Sequence, residues 1–103
     1  MHQFSIHTQT GEHLGFLIML PSDEYEPTYG QLAIKLRNDL PSTLLPATQA
    51  LNDWAESGML NWLMESDRVR VSNEENDLMG YIRQEWLIID GTRFVLNDLE
   101  GSL

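Results

Sequence analysis

The sequence predicts one α+β domain in the order ββ-ααα-βββ, with an antiparallel sheet made from N- and C-terminal hairpins and helices packed on one face. Three observations predict it. Apolar residues alternate with period two near both ends, helical spacing fills the middle, and Asp90-Gly91 divides the last strand-like runs. The 103 residues suit a single domain over 1–103, with 98–103 as a frayed acidic tail. A chain of this length buries roughly 60–70% of the surface its unfolded form exposes, enough for one modest core.

The elements follow in order. Phe4, Ile6 and Thr8 alternate with polar neighbours, and Leu14, Phe16, Ile18 and Leu20 alternate again after Thr10-Gly11-Glu12. A three-residue loop pairs Gln9 with His13 and puts both apolar rows on one face, leaving His7, Gln9, His13, Leu17 and Met19 on the other. Pro21–Pro27 reads as an acidic loop. Thr28 with Gln31 matches a capping box, and Tyr29, Leu32, Ala33, Leu36 and Leu40 keep helical spacing until Pro41.

A second helix begins near Thr43, tolerates Pro46 in its first turn and buries Ala47, Ala50, Leu51 and Trp54, with Gly58 as a C-terminal cap. Met59–Ser66 reads as a short third helix. Val69 and Val71 mark a short strand, residues 73–77 an acidic turn, and Met79–Ile89 a long strand. A type I′ turn at Asp90-Gly91 pairs Ile89 with Thr92, Leu87 with Phe94 and Glu85 with Leu96.

Composition excludes several functions. With no cysteine there is no disulfide, thiolate nucleophile, iron–sulfur cluster or cysteine-based zinc site. That absence, and an N-terminus without a basic stretch leading into an apolar one, give a cytoplasmic expectation. The net charge is −10, with −3 in residues 1–52 and −7 in residues 53–103. Such a balance disfavours direct binding to nucleic acid or an anionic membrane and favours basic surfaces.

No motif carries chemistry by itself. His7 and His13 share a face in the expected hairpin, but their spacing lacks the tight pairing of a metal site. Ser5 lies on the same strand without a nucleophile elbow. Counting twelve residues from Ser72 gives Asp77 at the sixth place and Arg83 at the twelfth, which breaks a calcium loop. No Gly-x-Gly occurs, so no phosphate loop is visible. No cofactor and no metal is expected. Arg68, Arg70, Arg83 and Arg93 alternate with acids and read as cross-strand ion pairing.

The resulting expectation is a non-enzymatic, acidic protein-binding protein. It would be an inhibitor mimicking nucleic acid and occluding a basic nuclease or nucleoprotein surface, the physical type of anti-CRISPR, immunity and antitoxin proteins. Asp23, Glu24, Glu26, Glu74, Glu75 and Asp77 would make the contact from exposed turns, with Trp62 as an apolar anchor. One alternative is a homodimer or larger assembly joined through Trp and Met. Another is a small enzyme using His7 and His13.

Overall fold

The computed structural model describes residues 2–22 and 28–99, apart from the side chains of residues 45–47. Alternation with period two governs most of them. Strands β1 (His2–His7), β2 (His13–Pro21), β3 (Tyr29–Leu36), β4 (Leu60–Met64), β5 (Val69–Ser72), β6 (Leu78–Arg83), β7 (Trp86–Ile89) and β8 (Thr92–Asp98) follow one another around a barrel. Each is antiparallel to the next, and β8 closes on β1 with Ile6 opposite Leu96. The fold is a closed eight-stranded antiparallel barrel, not an α+β sheet with helices on one face. Among the described residues it carries one α-helix, α1 (Leu45–Glu56), entered through a 3₁₀ turn at Ser42–Leu44. Among the described residues, closure pairs every strand on both sides, so the barrel has no free edge strand.

Two expected helices are strands. Leu32, Leu36 and Leu40 satisfy a four-residue spacing, yet Gly30, Leu32 and Ile34 also satisfy a two-residue one, and these are the buried set. Leu60 and Trp62 face inward while Asn61 and Leu63 face outward, so Met59–Ser66 is not helical. Pairing distant in sequence decides both cases: Leu32 lies opposite Leu60, and Gly30 opposite Trp62. The middle helix forms as expected, with Leu51 and Trp54 buried, and Gly58 takes φ +75° just past its end.

The first hairpin departs from its expected register. Phe4 pairs with Leu17 and Ile6 with Gly15, and an irregularity between Ile6 and His7 then sets His7 opposite His13. Strand β2 is apolar on both faces, so alternation alone does not say which row is inside. Leu17 is fully buried, whereas Phe16 and Leu20 are exposed.

The last hairpin forms as expected, with Ile89 opposite Thr92 and Leu87 opposite Phe94. Asp90 and Gly91 both have positive φ, and the Leu96 amide donates to the Glu85 carbonyl at 2.8 Å. The expected long strand 79–89 instead folds back at Gln84, where φ is +56°. Strand β8 ends at Asp98, in register with Phe4, and residues 100–103 of the expected frayed tail lie outside the described residues.

Inward rows from all eight strands build the core, including Ile6, Leu17, Leu32, Leu60, Val71, Ile82, Leu87 and Phe94. Gln31, Lys35, Asn61, Arg83 and Arg93 face outward and are exposed. This apolar interior and mixed polar exterior reverse the pattern of a membrane-spanning barrel. Among the described residues, no helix is long and apolar enough to cross a membrane.

Candidate functional site: the open mouth of the barrel

The alternating chain direction gives the barrel two different ends. Odd-numbered strands run from the end holding His2 towards the end holding α1, and even-numbered strands return. Helix α1 connects β3 to β4 and packs against β3. Its Trp54 reaches Gly80 on β6, three strands further round, where a Cβ would lie 2.8 Å from the indole. The helix therefore lies across the end of the barrel and plugs it with Trp54 and Leu51, both buried.

Among the described residues the opposite end is open. A cavity of about 370 Å³ enters the interior there. It is lined by His2 and Phe4 from β1, Met19 and Pro21 from β2, and Trp62 and Met64 from β4. Val69 from β5 and Ile82 from β6 complete it. Register explains the set: His2 lies opposite Met19, Trp62 opposite Val71, Met64 opposite Val69, and Val69 opposite Ile82, so each side chain belongs to an inward row. An eight-stranded barrel is just wide enough to be filled by side chains or to hold one small ligand. Here the helix fills one end, and nothing comparable fills the other among the described residues.

The lining is apolar and deformable. Two methionines give it adaptable walls, and Phe4 and Trp62 supply aromatic faces. Trp62 is only 4% exposed, and its Nε1 is buried without a hydrogen-bond partner among the described residues. At the rim, His2 Nε2 lies 3.0 Å from Asp98 Oδ2, and the His2 ring stacks on Phe4 at 5.1 Å. Asp98 is in register with Phe4, and it lines a different cavity, with Gln84, Glu85 and Asn97.

Nearby cations are otherwise engaged. Arg68 lies 4.0 Å over the Tyr81 ring and donates to Glu65 at 3.1 Å, a hydrogen bond that holds its guanidinium pKa above the ordinary value. Arg83 lies 3.7 Å from Asp67.

The residues singled out from sequence are dispersed. Asp23, Glu24 and Glu26 lie outside the described residues. On either side of them Pro21 and Tyr29 end β2 and begin β3, and the Ser22 amide donates to the Tyr29 carbonyl at 3.0 Å. Glu74, Glu75 and Asp77 are exposed in the β5–β6 turn at the helix end, which is ordered by the Asp77 amide donating to Asn73 Oδ1 at 2.8 Å. Trp62 is inside the barrel, not on its outer surface.

His7 and His13 do come together, with rings 5.1 Å apart, on the outside of β1 and β2. His7 Nε2 also meets Ser5 Oγ at 2.9 Å. Among the described residues no carboxylate orients the other His7 nitrogen, and neither histidine lines the cavity at the barrel mouth. A Ser–His nucleophile needs an orienting acid and an oxyanion site, so this contact is read as a polar pairing on a strand. Among the described residues no group of three or more His, Asp or Glu is placed to hold a metal.

Sequence reasoning missed His2, Phe4, Met19, Val69 and Ile82 as a set. Their common signal is an inward row interrupted only at one end by His2, and it appears only once strand pairing is known.

No curated protein and no solved structure shows significant similarity to the chain. A family model described as "HLGFF-containing, Neisseriales" matches residues 1–103. Four of those five letters occur in the β2 segment His13-Leu14-Gly15-Phe16-Leu17, whose Leu14 and Leu17 are fully buried. Gly15 is held against the β3 backbone, where a Cβ would collide with the Lys35 carbonyl, and His13 meets Phe16 edge-on at 5.0 Å. The chain belongs to the HLGFF-containing family of the Neisseriales.

Proposed function

We propose that this protein binds a small apolar molecule in the open mouth of its barrel. One observation carries the reading: the barrel is plugged at one end by α1 and, among the described residues, open at the other into a cavity of about 370 Å³ walled by Phe4, Met19, Trp62, Met64, Val69 and Ile82. Ligand pockets are typically concave, mostly apolar and about 300–1,000 Å³, so this one suits a compact ligand. The mouth of a β-barrel is a recurrent place for such a site.

The test uses N-phenyl-1-naphthylamine, an uncharged dye that brightens in apolar surroundings. The full chain should bind it at one site, and Val69→Phe, which adds a ring on an inward cavity position, should remove binding while circular dichroism stays that of the parent. Equal dye binding by Val69→Phe with an intact fold would refute the assignment.

A second reading has its own support. Glu74, Glu75 and Asp77 project from an ordered turn on a chain of net charge −10, an arrangement suited to steering onto a basic protein surface such as a nuclease. Its test is capture of a basic partner whose association weakens as salt rises and is lost in Glu74→Lys/Glu75→Lys. Capture unchanged by that reversal would end it.

A further inference from the structure

We propose that the outer face of strands β5–β8 docks an acidic partner protein, through an extended segment whose carboxylates flank an apolar side chain. Four of the six Lys and Arg residues, Arg68, Arg70, Arg83 and Arg93, fall on these strands or at their ends. Val71, Ile82, Leu87 and Phe94 are buried, so Arg70, Tyr81, Ile88 and Arg93 beside them turn outward. Register then lays two transverse rows across the outer face. Arg70 lies opposite Tyr81, Tyr81 opposite Ile88, and Ile88 opposite Arg93. Alongside, Arg83 lies opposite Trp86, Trp86 opposite Val95, and Val95 opposite His7 of β1. Each row is apolar at its centre and basic at both ends. An aromatic and aliphatic centre with arginines around it is the composition of a protein interface.

Charge selects the occupant. On a chain of net charge −10, Arg68 donates to Glu65 and Arg83 lies 3.7 Å from Asp67, yet Arg70 and Arg93 meet no carboxylate among the described residues. Arg93 lies instead over the Trp86 ring, 5.8 Å from its centroid. Arg70 and Arg93 stand three strand spacings apart, roughly 14 Å, and four residues of extended chain cover about 13 Å. A segment reading acid, spacer, apolar, spacer, acid therefore sets its alternate side chains on Arg70, on the Tyr81–Ile88 pair and on Arg93. Single-stranded nucleic acid fits less well. Its bases need open aromatic faces, but Arg68 covers the Tyr81 ring at 4.0 Å and Arg93 lies over Trp86. The net charge also repels a long polyanion.

The experiment titrates the full chain at low ionic strength with the peptide Ac-Glu-Ser-Leu-Ser-Glu-NH2, at millimolar concentrations, and follows amide and indole shifts by NMR. Saturable shifts should centre on Tyr81, Trp86 and Ile88 and should weaken as salt rises. The peptide with glutamine for both glutamates, and the one with serine for leucine, should each bind more weakly. Arg70→Gln/Arg93→Gln should weaken the glutamate peptide about fivefold, the scale of two exposed ion pairs, while the remaining amide spectrum stays that of the parent. Should that variant unfold, the salt series and the glutamine peptide on the parent chain decide. Equal binding by the glutamine peptide, or no saturable shift at this face, would overturn the acidic assignment. A short oligothymidylate that shifts the same residues at lower concentration than the peptide would overturn it too, in favour of nucleic acid. Dye binding in the barrel mouth is independent of each of these results.

Discussion

Replacing Gly80 by alanine tests whether α1 caps the barrel through Trp54. The added Cβ would meet two obstacles. One is the Ile88 carbonyl oxygen, which belongs to the backbone of the paired strand β7 and cannot move without disturbing the ladder. The other is the Trp54 six-membered ring, with Cζ2 at 2.8 Å and Cη2 at 3.4 Å. Overpacking of this kind costs about 1–3 kcal/mol. Phenylalanine lacks the outer ring atoms of the indole, so Trp54→Phe removes the second obstacle and leaves the first.

Urea denaturation of the parent, both single variants and the double variant closes a thermodynamic cycle. The double variant should be more stable than the sum of the single losses predicts, by about 0.5–2 kcal/mol, while Gly80→Ala keeps a residual cost from Ile88. Additivity within about 0.5 kcal/mol would show that Trp54 and Gly80 do not touch, and the plugged end would be wrong.

Two further outcomes follow from the same geometry. Trp62→Phe removes a buried N–H that has no partner among the described residues, and relief of its desolvation, about 1–3 kcal/mol, offsets most of the lost packing. The net loss by urea denaturation should stay below about 1 kcal/mol; a loss of 3 kcal/mol or more would mean that the indole N–H has a partner. The Arg37 guanidinium, at 2.8 Å, holds the Asp39 carboxyl below the usual carboxylate range. This lowered folded-state pKa gives stability that is present above the unfolded value and lost as acidification passes the lowered one. In NMR titration the Asp39 midpoint should rise in Arg37→Ala, and an unchanged midpoint would refute the pairing.

The parts of the fold legible in the sequence are those fixed by neighbours in the chain. Asp90-Gly91 dictates its own turn because positive φ is needed at two successive residues, and the register of Leu87 on Phe94 follows by counting. The helix over residues 45–56 is similarly local: Pro46 suits its first turn, Leu51 and Trp54 share a stripe, and Gly58 ends it. What escaped reading depends on partners far away. Leu32, Ile34 and Leu36 belong to a strand only because β2 and β4 lie on either side. In Leu60–Met64 both faces are largely apolar, so the sequence carries no clear period until Trp62 is set against Gly30 and Val71. The cavity was illegible for the same reason, since its walls come from five strands. Acidity was legible as a total but not as a place: Glu74, Glu75 and Asp77 gather in one exposed turn at the helix end of the barrel.

The most direct test of the central claim is a methyl- and indole-resolved NMR titration with N-phenyl-1-naphthylamine. A barrel open only at the end away from α1 predicts saturable shifts confined to Met19, Met64, Val69, Ile82 and the Trp62 indole, with Leu51 and Ile89 at the helix end unmoved. Shifts centred instead on Leu51 and Ile89, or on the exposed outer residues Phe16 and Leu20, would contradict it.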